Sequence, residues 1–210
     1  MSARAKPAPP PKVAQPWVAQ PWAAGPVVVF DTETTGCTVN DRVVSLGAVR
    51  LDAGLEPEAT LHLAFAPGMP CHWGATRVHG MSDAFLARHP PFTDHAAEIA
   101  DFFAGALGCA HNLAFDRRML GNEFARAGLP RPWEAELCTM RTWRRAFPGQ
   151  RAGLNPASAA CGFAREGSLH GALEDAWLAV QLLRRLHELP PVPMRLHGIT
   201  NGPDGDCLAA

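Results

Sequence analysis

Lysine is almost missing from this chain. Lys6 and Lys12 are the only two, so every cationic side chain beyond them, histidine aside, is an arginine. Basic residues number 19 against 20 acidic ones, a formal net charge of −1, which excludes a protein that coats nucleic acid by bulk electrostatics. Contact with a polyanion must therefore be local. No apolar run reaches the length of a membrane span, so a soluble, cytoplasmic protein with no membrane contact is expected. The six cysteines (37, 71, 109, 138, 161 and 207) form no Cys-x-x-Cys pair and follow no secretory signal. They read as reduced, mostly buried small side chains, and their spacing fits no structural zinc pattern. With 210 residues, 47% of them hydrophobic, the chain can build one core of ordinary size for a single α/β domain.

Proline is concentrated at the start. The first 26 residues hold seven of the 20 prolines, and within them Val13-Ala-Gln-Pro-Trp17 is repeated at once as Val18-Ala-Gln-Pro-Trp22. Proline at this density blocks helix and sheet interiors, so residues 1–25 are expected to form a disordered, polyproline-like tail. Its two tryptophans either anchor a partner's groove or rest loosely on the domain. The chain is expected to divide into this tail, a folded domain over 26–189 and a C-terminal tail over 190–210.

Val27-Val-Val-Phe30 reads as a fully buried strand, and it runs directly into Asp31 and Glu33. Strand alternation puts those two carboxylates on one side. Packed against a core strand they are costly unless a cation neutralises them, and hard divalent ions take oxygen ligands of this kind. Segments 27–32, 42–51 and 61–66 predict an antiparallel meander, with turns at 36–41 and 52–57. Helical spacing predicts helices over 93–107, 115–127 and 173–189, the last stopping at Pro190-Pro191. Short strands are expected at 109–110 and 136–140. Asp116 falls at a helix start, His170 just before the terminal helix and Asp175 in its first turns.

Taken in order, Asp31-x-Glu33, Asn112-x-x-Phe115-Asp116 and His170-x-x-x-x-Asp175 resemble the DEDDh family of 3′-to-5′ exonucleases. The match extends through Asp31-Thr-Glu-Thr-Thr-Gly36, Leu46-Gly-Ala-Val49, Val78-His-Gly80, Phe147-Pro-Gly149 and Leu169-His-Gly-Ala-Leu-Glu-Asp175, which look like the proofreading (epsilon) branch of bacterial DNA polymerase III. The resemblance covers about residues 26–187. It implies a ribonuclease H-like α/β fold, with a mixed five-stranded sheet flanked by helices in the order βββαβαβα. It also implies an enzyme that hydrolyses phosphodiesters from 3′ ends with two divalent ions, Mg²⁺ or Mn²⁺. Asp31 would bridge the ions, Glu33 and Asp175 would hold the one that activates water, and Asp116 the one next to the leaving oxygen. His170 would be the general base, since an imidazole titrates near neutrality.

For the strand end the resemblance points to Thr34, Thr35, Gly36, His79, Asn112 and Phe115, with Phe115 either a wedge or core. Arg141, Arg144 and Arg145, at i, i+3 and i+4, form a phosphate-tracking face or a plain solvated one. Ser45 stands where many relatives carry glutamate, and Asn155-Pro156 where Leu-Asp is common. About twenty residues follow the last helix, fewer than the segment by which the proofreading subunit attaches to its polymerase. A polymerase or other protein contact is therefore expected only through the tails. DNA 3′ ends are the favoured substrate, in proofreading or repair. The alternatives are an RNA 3′-end exonuclease of RNase T or oligoribonuclease type, and a non-catalytic polymerase-associated module.

Overall fold

The computed structural model describes residues 25–194 and 198–200. The N-terminal tail reading and its tandem repeat fall on residues 1–24 and lie outside the described residues. So does the reading of residues 195–197 and 201–210 as tail.

Three strands follow one another as an antiparallel meander, β1 (Val27–Thr34), β2 (Val43–Leu51) and β3 (Pro57–Ala64). Two short helices, α1 (Trp73–His79) and α2 (Asp83–Leu86), lead to α3 (Phe92–Phe103), after which β4 (Leu107–Ala110) pairs parallel with β1. Helix α4 (Leu113–Arg126) returns to β5 (Glu136–Cys138), parallel to β4, and α5 (Thr139–Ala146), α6 (Leu154–Ala160) and α7 (Ala172–Leu186) follow. The expected five strands make one mixed sheet. A sixth, β6 (Gly198–Thr200), drawn from the segment expected to be tail, pairs parallel with the free edge of β3, giving the order β5-β4-β1-β2-β3-β6.

Strand alternation divides β1 between two layers. Val28 and Phe30 pack with Ile99, Phe103, Leu120 and Phe124 from α3 and α4, while Val27 and Val29 pack with Leu173, Trp177 and Val180 of α7. Helix α7 reads in sequence as carrying a single apolar stripe, yet it is buried nearly all round. Its outer side meets Trp143, Ala146 and Phe147 of the α5 region in a third cluster with Leu182 and Leu186. This explains the alanines and leucines that fall off the stripe.

Boundaries depart from the sequence pattern where long-range pairing wins. The helical spacing over 93–107 ends at Phe103, because Leu107 instead donates its N–H to the Pro26 carbonyl at 3.0 Å and begins β4 beside β1. Strand β3 starts at Pro57, earlier than expected, and the strand expected over 136–140 yields to α5 at Thr139. Cysteine burial is more mixed than expected: Cys109 and Cys138 are buried, Cys71 and Cys161 intermediate, and Cys37 exposed.

Gly47 is the position on which the layering turns. It pairs with Asp31 across β1 and β2, and a Cβ there would lie 2.1 Å from the backbone nitrogen of Leu173 and 2.2 Å from the carbonyl carbon of Ala172. Helix α7 thus begins directly on the sheet, a closer approach than any side chain at position 47 permits. Gly47→Ala should lower stability by about 1–3 kcal/mol, the scale of overpacking a tight contact. Gly121→Ala, with open space around it in the middle of α4, should be neutral or gain up to about 1 kcal/mol from helix propensity. Urea unfolding of the two variants checks the contrast, and equal midpoints would contradict the packing described.

Candidate active site

Asp31 and Glu33 lie on the α7 side of β1, and Thr32 between them points to the opposite side. Thr32 donates to Asp116 Oδ1 twice, from its backbone N–H at 3.1 Å and its hydroxyl at 2.8 Å. The second motif is thereby tied to the first through the residue that D-x-E leaves unspecified. Pairing of β1 with β4 stops at Val29 and Cys109, so β1 runs on past its neighbour and α4 brings Asp116, in its first turn, alongside. From the other layer, the first turn of α7 brings Asp175.

All five expected residues, Asp31, Glu33, Asp116, His170 and Asp175, line one cleft of about 530 Å³. Glu33, Asp116 and Asp175 are buried, and Asp31 is partly so. Burial is the largest cause raising all three carboxyls that shift. It drives Asp31 well above the usual range, with Asp116, Asp175 and Glu33 adding repulsion. Glu33 is pushed up to about 8 by burial and by Asp175, and Asp116 to about 7 by burial against the opposing Thr32 bonds. His170 sits just ahead of α7, its N–H held by the Val78 carbonyl at 2.8 Å and its Nδ1 3.6 Å from Asp175 Oδ2. Burial, followed by Arg165, lowers its pKa from the ordinary value.

The carboxylates fit a hard divalent cation. Glu33 and Asp175 each place a ligand oxygen within 4.8 Å of the other and of a His170 ring nitrogen, and Glu33 Oε1 is buried with no hydrogen-bond partner among the described residues. A buried carboxylate oxygen left unmatched by any donor is a group poised for a cation. Ser45, paired with Glu33 across the strands, is also buried with an unpartnered hydroxyl.

The expected strand-end residues divide. Thr34, Gly36, His79, Asn112 and Phe115 line the cleft. Thr35 is not among its walls: its hydroxyl donates to Asp41 Oδ1 at 2.8 Å, its N–H donates to the Arg42 carbonyl, and its own carbonyl accepts from His72. With every polar group engaged, Thr35 closes the turn after β1. Phe115, on α4, lines the cleft and is partly buried against the core. Asn112 holds a left-handed backbone, φ 71°, at the head of α4, a conformation asparagine tolerates better than most residues. Arg141, Arg144 and Arg145 are exposed on α5, and none lines the cleft.

The sequence reading gave no role to Thr32 or Arg165, and treated Asn155 only as a departure from the family pattern. Thr32 could have been found from strand alternation, since a residue between two site carboxylates must face the other layer. Arg165 has no such signal. It lies in the loop between α6 and α7, and its guanidinium grips both oxygens of Asp175, through Nε at 2.5 Å and Nη2 at 2.6 Å. His111 also borders the cleft. It is bolted between Thr139 Oγ1 and the Ala152 carbonyl, each 2.9 Å away, and burial holds its pKa down at about 4.

An open sheet whose central strand carries acidic residues, met by an Asp from a helix on each side, defines a nuclease-like site. Residues 28–183 match the RNase_T family of exonucleases, and the chain belongs to it. It is 31% identical over 160 residues to the DNA polymerase III subunit epsilon of Pasteurella multocida, covering 71% of this chain and 63% of that protein. Against the epsilon subunit of Escherichia coli strain K12 it is 30% identical over 166 residues, covering 74% and 68%. The chain thus spans a little under two thirds of the Pasteurella relative. Among solved structures, Exonuclease X bound to 5′-overhanging duplex DNA superposes with a TM-score of 0.61 at 23% identity, over 77% of this chain and 91% of that one. E. coli Exonuclease I with a dT13 oligonucleotide gives 0.66 at 18%, over 77% and 41%. These place the fold among exonucleases. Among the described residues, no helix is long and apolar enough to cross a membrane.

The raised carboxyls carry a sign. Protons are bound more tightly in the folded chain than in the unfolded one, so stability is lost as pH rises through the folded values, about 7 for Asp116 and about 8 for Glu33. His62, His111 and His170 have lowered values and act oppositely, but only as pH falls below the ordinary 6.5. From about pH 7 to about pH 8.5 the carboxyls therefore dominate. In chelator, the melting temperature should fall across that window, and Asp31→Asn should flatten the fall. Calorimetry decides it; a rising melting temperature would mean that the carboxylates are already ionised and compensated.

Proposed function

We propose that this chain is a divalent-metal-dependent 3′-to-5′ exonuclease, removing nucleotides one at a time from the 3′ end of single-stranded or frayed DNA in proofreading or repair. The observation that carries this reading is the convergence of Asp31, Glu33, Asp116, His170 and Asp175, from three distant segments, on one cleft. Membership of an exonuclease family and DNA-bound structural neighbours support it. Any polymerase contact is assigned to the end segments, leaving the cleft to the strand.

Asp31, Glu33, Asp116 and Asp175 are the residues that would hold two Mg²⁺ or Mn²⁺ ions, which supply Lewis-acid activation of water and neutralise charge on the scissile phosphate. His170 takes the water's proton. Its side chain is 39% exposed, enough for solvent to reach it. The lowered pKa keeps the ring neutral and able to accept at neutral pH. Thr34, Gly36 and Asn112 orient the terminal nucleotide along the cleft, while Phe115 offers a ring face to its base.

Excess chelator should abolish hydrolysis of a 5′-labelled DNA strand, and so should Asp31→Asn with the fold retained. His170→Ala should slow turnover by about 10² or more, the size of a general-base contribution, with divalent binding little changed. Undiminished hydrolysis in chelator would overturn the metal reading, and near-normal turnover in the alanine variant would make His170 structural. Matched ribo- and deoxyribo-oligonucleotides on the same gel test the substrate. Faster loss of RNA would move the chain to the RNase T-like branch, and loss of neither would leave a non-catalytic binding module.

A further inference from the structure

Asp175 is expected to hold a divalent ion, yet both of its oxygens are already engaged by a guanidinium. Arg165 Nε meets Oδ1 at 2.5 Å and Nη2 meets Oδ2 at 2.6 Å, the bidentate geometry that makes arginine–carboxylate pairs strong. Nη1 donates to Asn155 Oδ1 on α6, and Nη2 lies 3.5 Å from His170 Nδ1. The Arg165 side chain is only 8% exposed and Asp175 only 4%. Its charge also reaches Asp31 and Glu33, where it opposes the mutual repulsion of the cluster. The two partners differ in freedom. Asp175 is fixed in the first turn of a helix buried on nearly every side, whereas Arg165 hangs from the irregular loop between α6 and α7.

We infer that Arg165 is the resident counter-cation of this site and competes with a divalent ion for the Asp175 carboxylate. The inference rests on the metal-dependent reading above. A guanidinium and a divalent ion repel each other and draw on the same carboxylate charge, so Arg165 must loosen its bidentate hold on Asp175 for the ion to bind well, and the neutral Asn155 amide offers only a weak hold once it does. Affinity for the ion is then reduced by the fraction of molecules in which the arginine is latched. Arg165 is in this sense a positioning residue that sets the divalent concentration at which the site assembles.

The test is Mn²⁺ binding by calorimetry, together with melting temperature in chelator and in saturating Mn²⁺, for the full chain and for Arg165→Gln and Arg165→Lys. Without its guanidinium, Arg165→Gln should bind Mn²⁺ at least about tenfold more tightly, as expected when a competing state is removed. In chelator it should melt at least about 3 °C lower, because Asp175 is left buried and unpaired. That deficit should close in saturating Mn²⁺. Arg165→Lys, which keeps the charge but not the fork, should fall between the two. A deficit of equal size with and without Mn²⁺ would make Arg165 a structural tie of the loop and overturn the inference. Unchanged or weaker binding in both variants would do the same while leaving the exonuclease reading intact. Absence of Mn²⁺ binding in the parent chain as well would remove that reading and this inference together.

Discussion

Like charge held at short range is the constraint on which this molecule is organised. Two carboxylates a few ångströms apart repel by roughly 4 kcal/mol at the effective dielectric of a protein, and here four of them meet where β1 runs past β4. Three of the four meet that repulsion differently. Asp116 is satisfied by two bonds from Thr32, Asp175 by the fork of Arg165, and Glu33 keeps one buried oxygen without a partner and a carboxyl pushed up to about 8. Such a cluster persists only if the elements carrying it are fixed by something stronger than its repulsion.

That anchoring comes through β2 and the turn after it, although β2 bears no residue expected to act in catalysis. Helix α4 is pinned to its start by Glu123, fully buried, which accepts from the Arg42 guanidinium and the Val43 N–H. Helix α7 is seated at Gly47 by backbone contact. Its far end is tied to the β2–β3 turn by Arg184, which donates to the Leu55 and Pro190 carbonyls and to Glu56. The two helices that bring Asp116 and Asp175 thus share one reference element, and the acid positions follow from where each helix meets it. Preorganisation of this kind lets ligand geometry be set by apolar packing rather than by the ligands themselves.

Much of this was legible in the chain. The run Val27 to Phe30 announced a buried strand, alternation put Asp31 and Glu33 together, and the three-strand meander followed from turn chemistry. The span that matches the exonuclease family, residues 28–183, contains those motif blocks. Other features were not legible, each for a physical reason. A glycine inside a strand signals close approach but not what approaches, so the seating of α7 on Gly47 is invisible in one dimension. Leu107 has helical spacing after Phe103, yet pairing beside Val27 is a contact of long sequence separation that periodicity does not register. Thr35 belongs to the same Thr-Thr-Gly block as Thr34, and only the third dimension separates the residue facing the cleft from the one sealing the turn. Arg165 reads as any loop arginine until Asp175 is placed beside it.

His170 and Asp175 of the third motif stand five residues apart, but they are held by different parts of the fold. Asp175 rides on α7, whereas the backbone of His170 is fixed by the Val78 carbonyl at the end of α1. Gly80, which caps α1 at φ 74°, has Leu169 so close that a Cβ would fall 2.6 Å from its Cδ1, so the residue before the base is packed into the Val-His-Gly corner. His79 from the same corner lines the cleft. The segment that brings His79 to the cleft therefore also positions His170, and a displacement of α1 would move both together while leaving the carboxylates where α4 and α7 hold them. On the proposed mechanism, proton transfer and ion binding would then be mechanically separable: the first would depend on α1, the second on the two long helices and on Arg165.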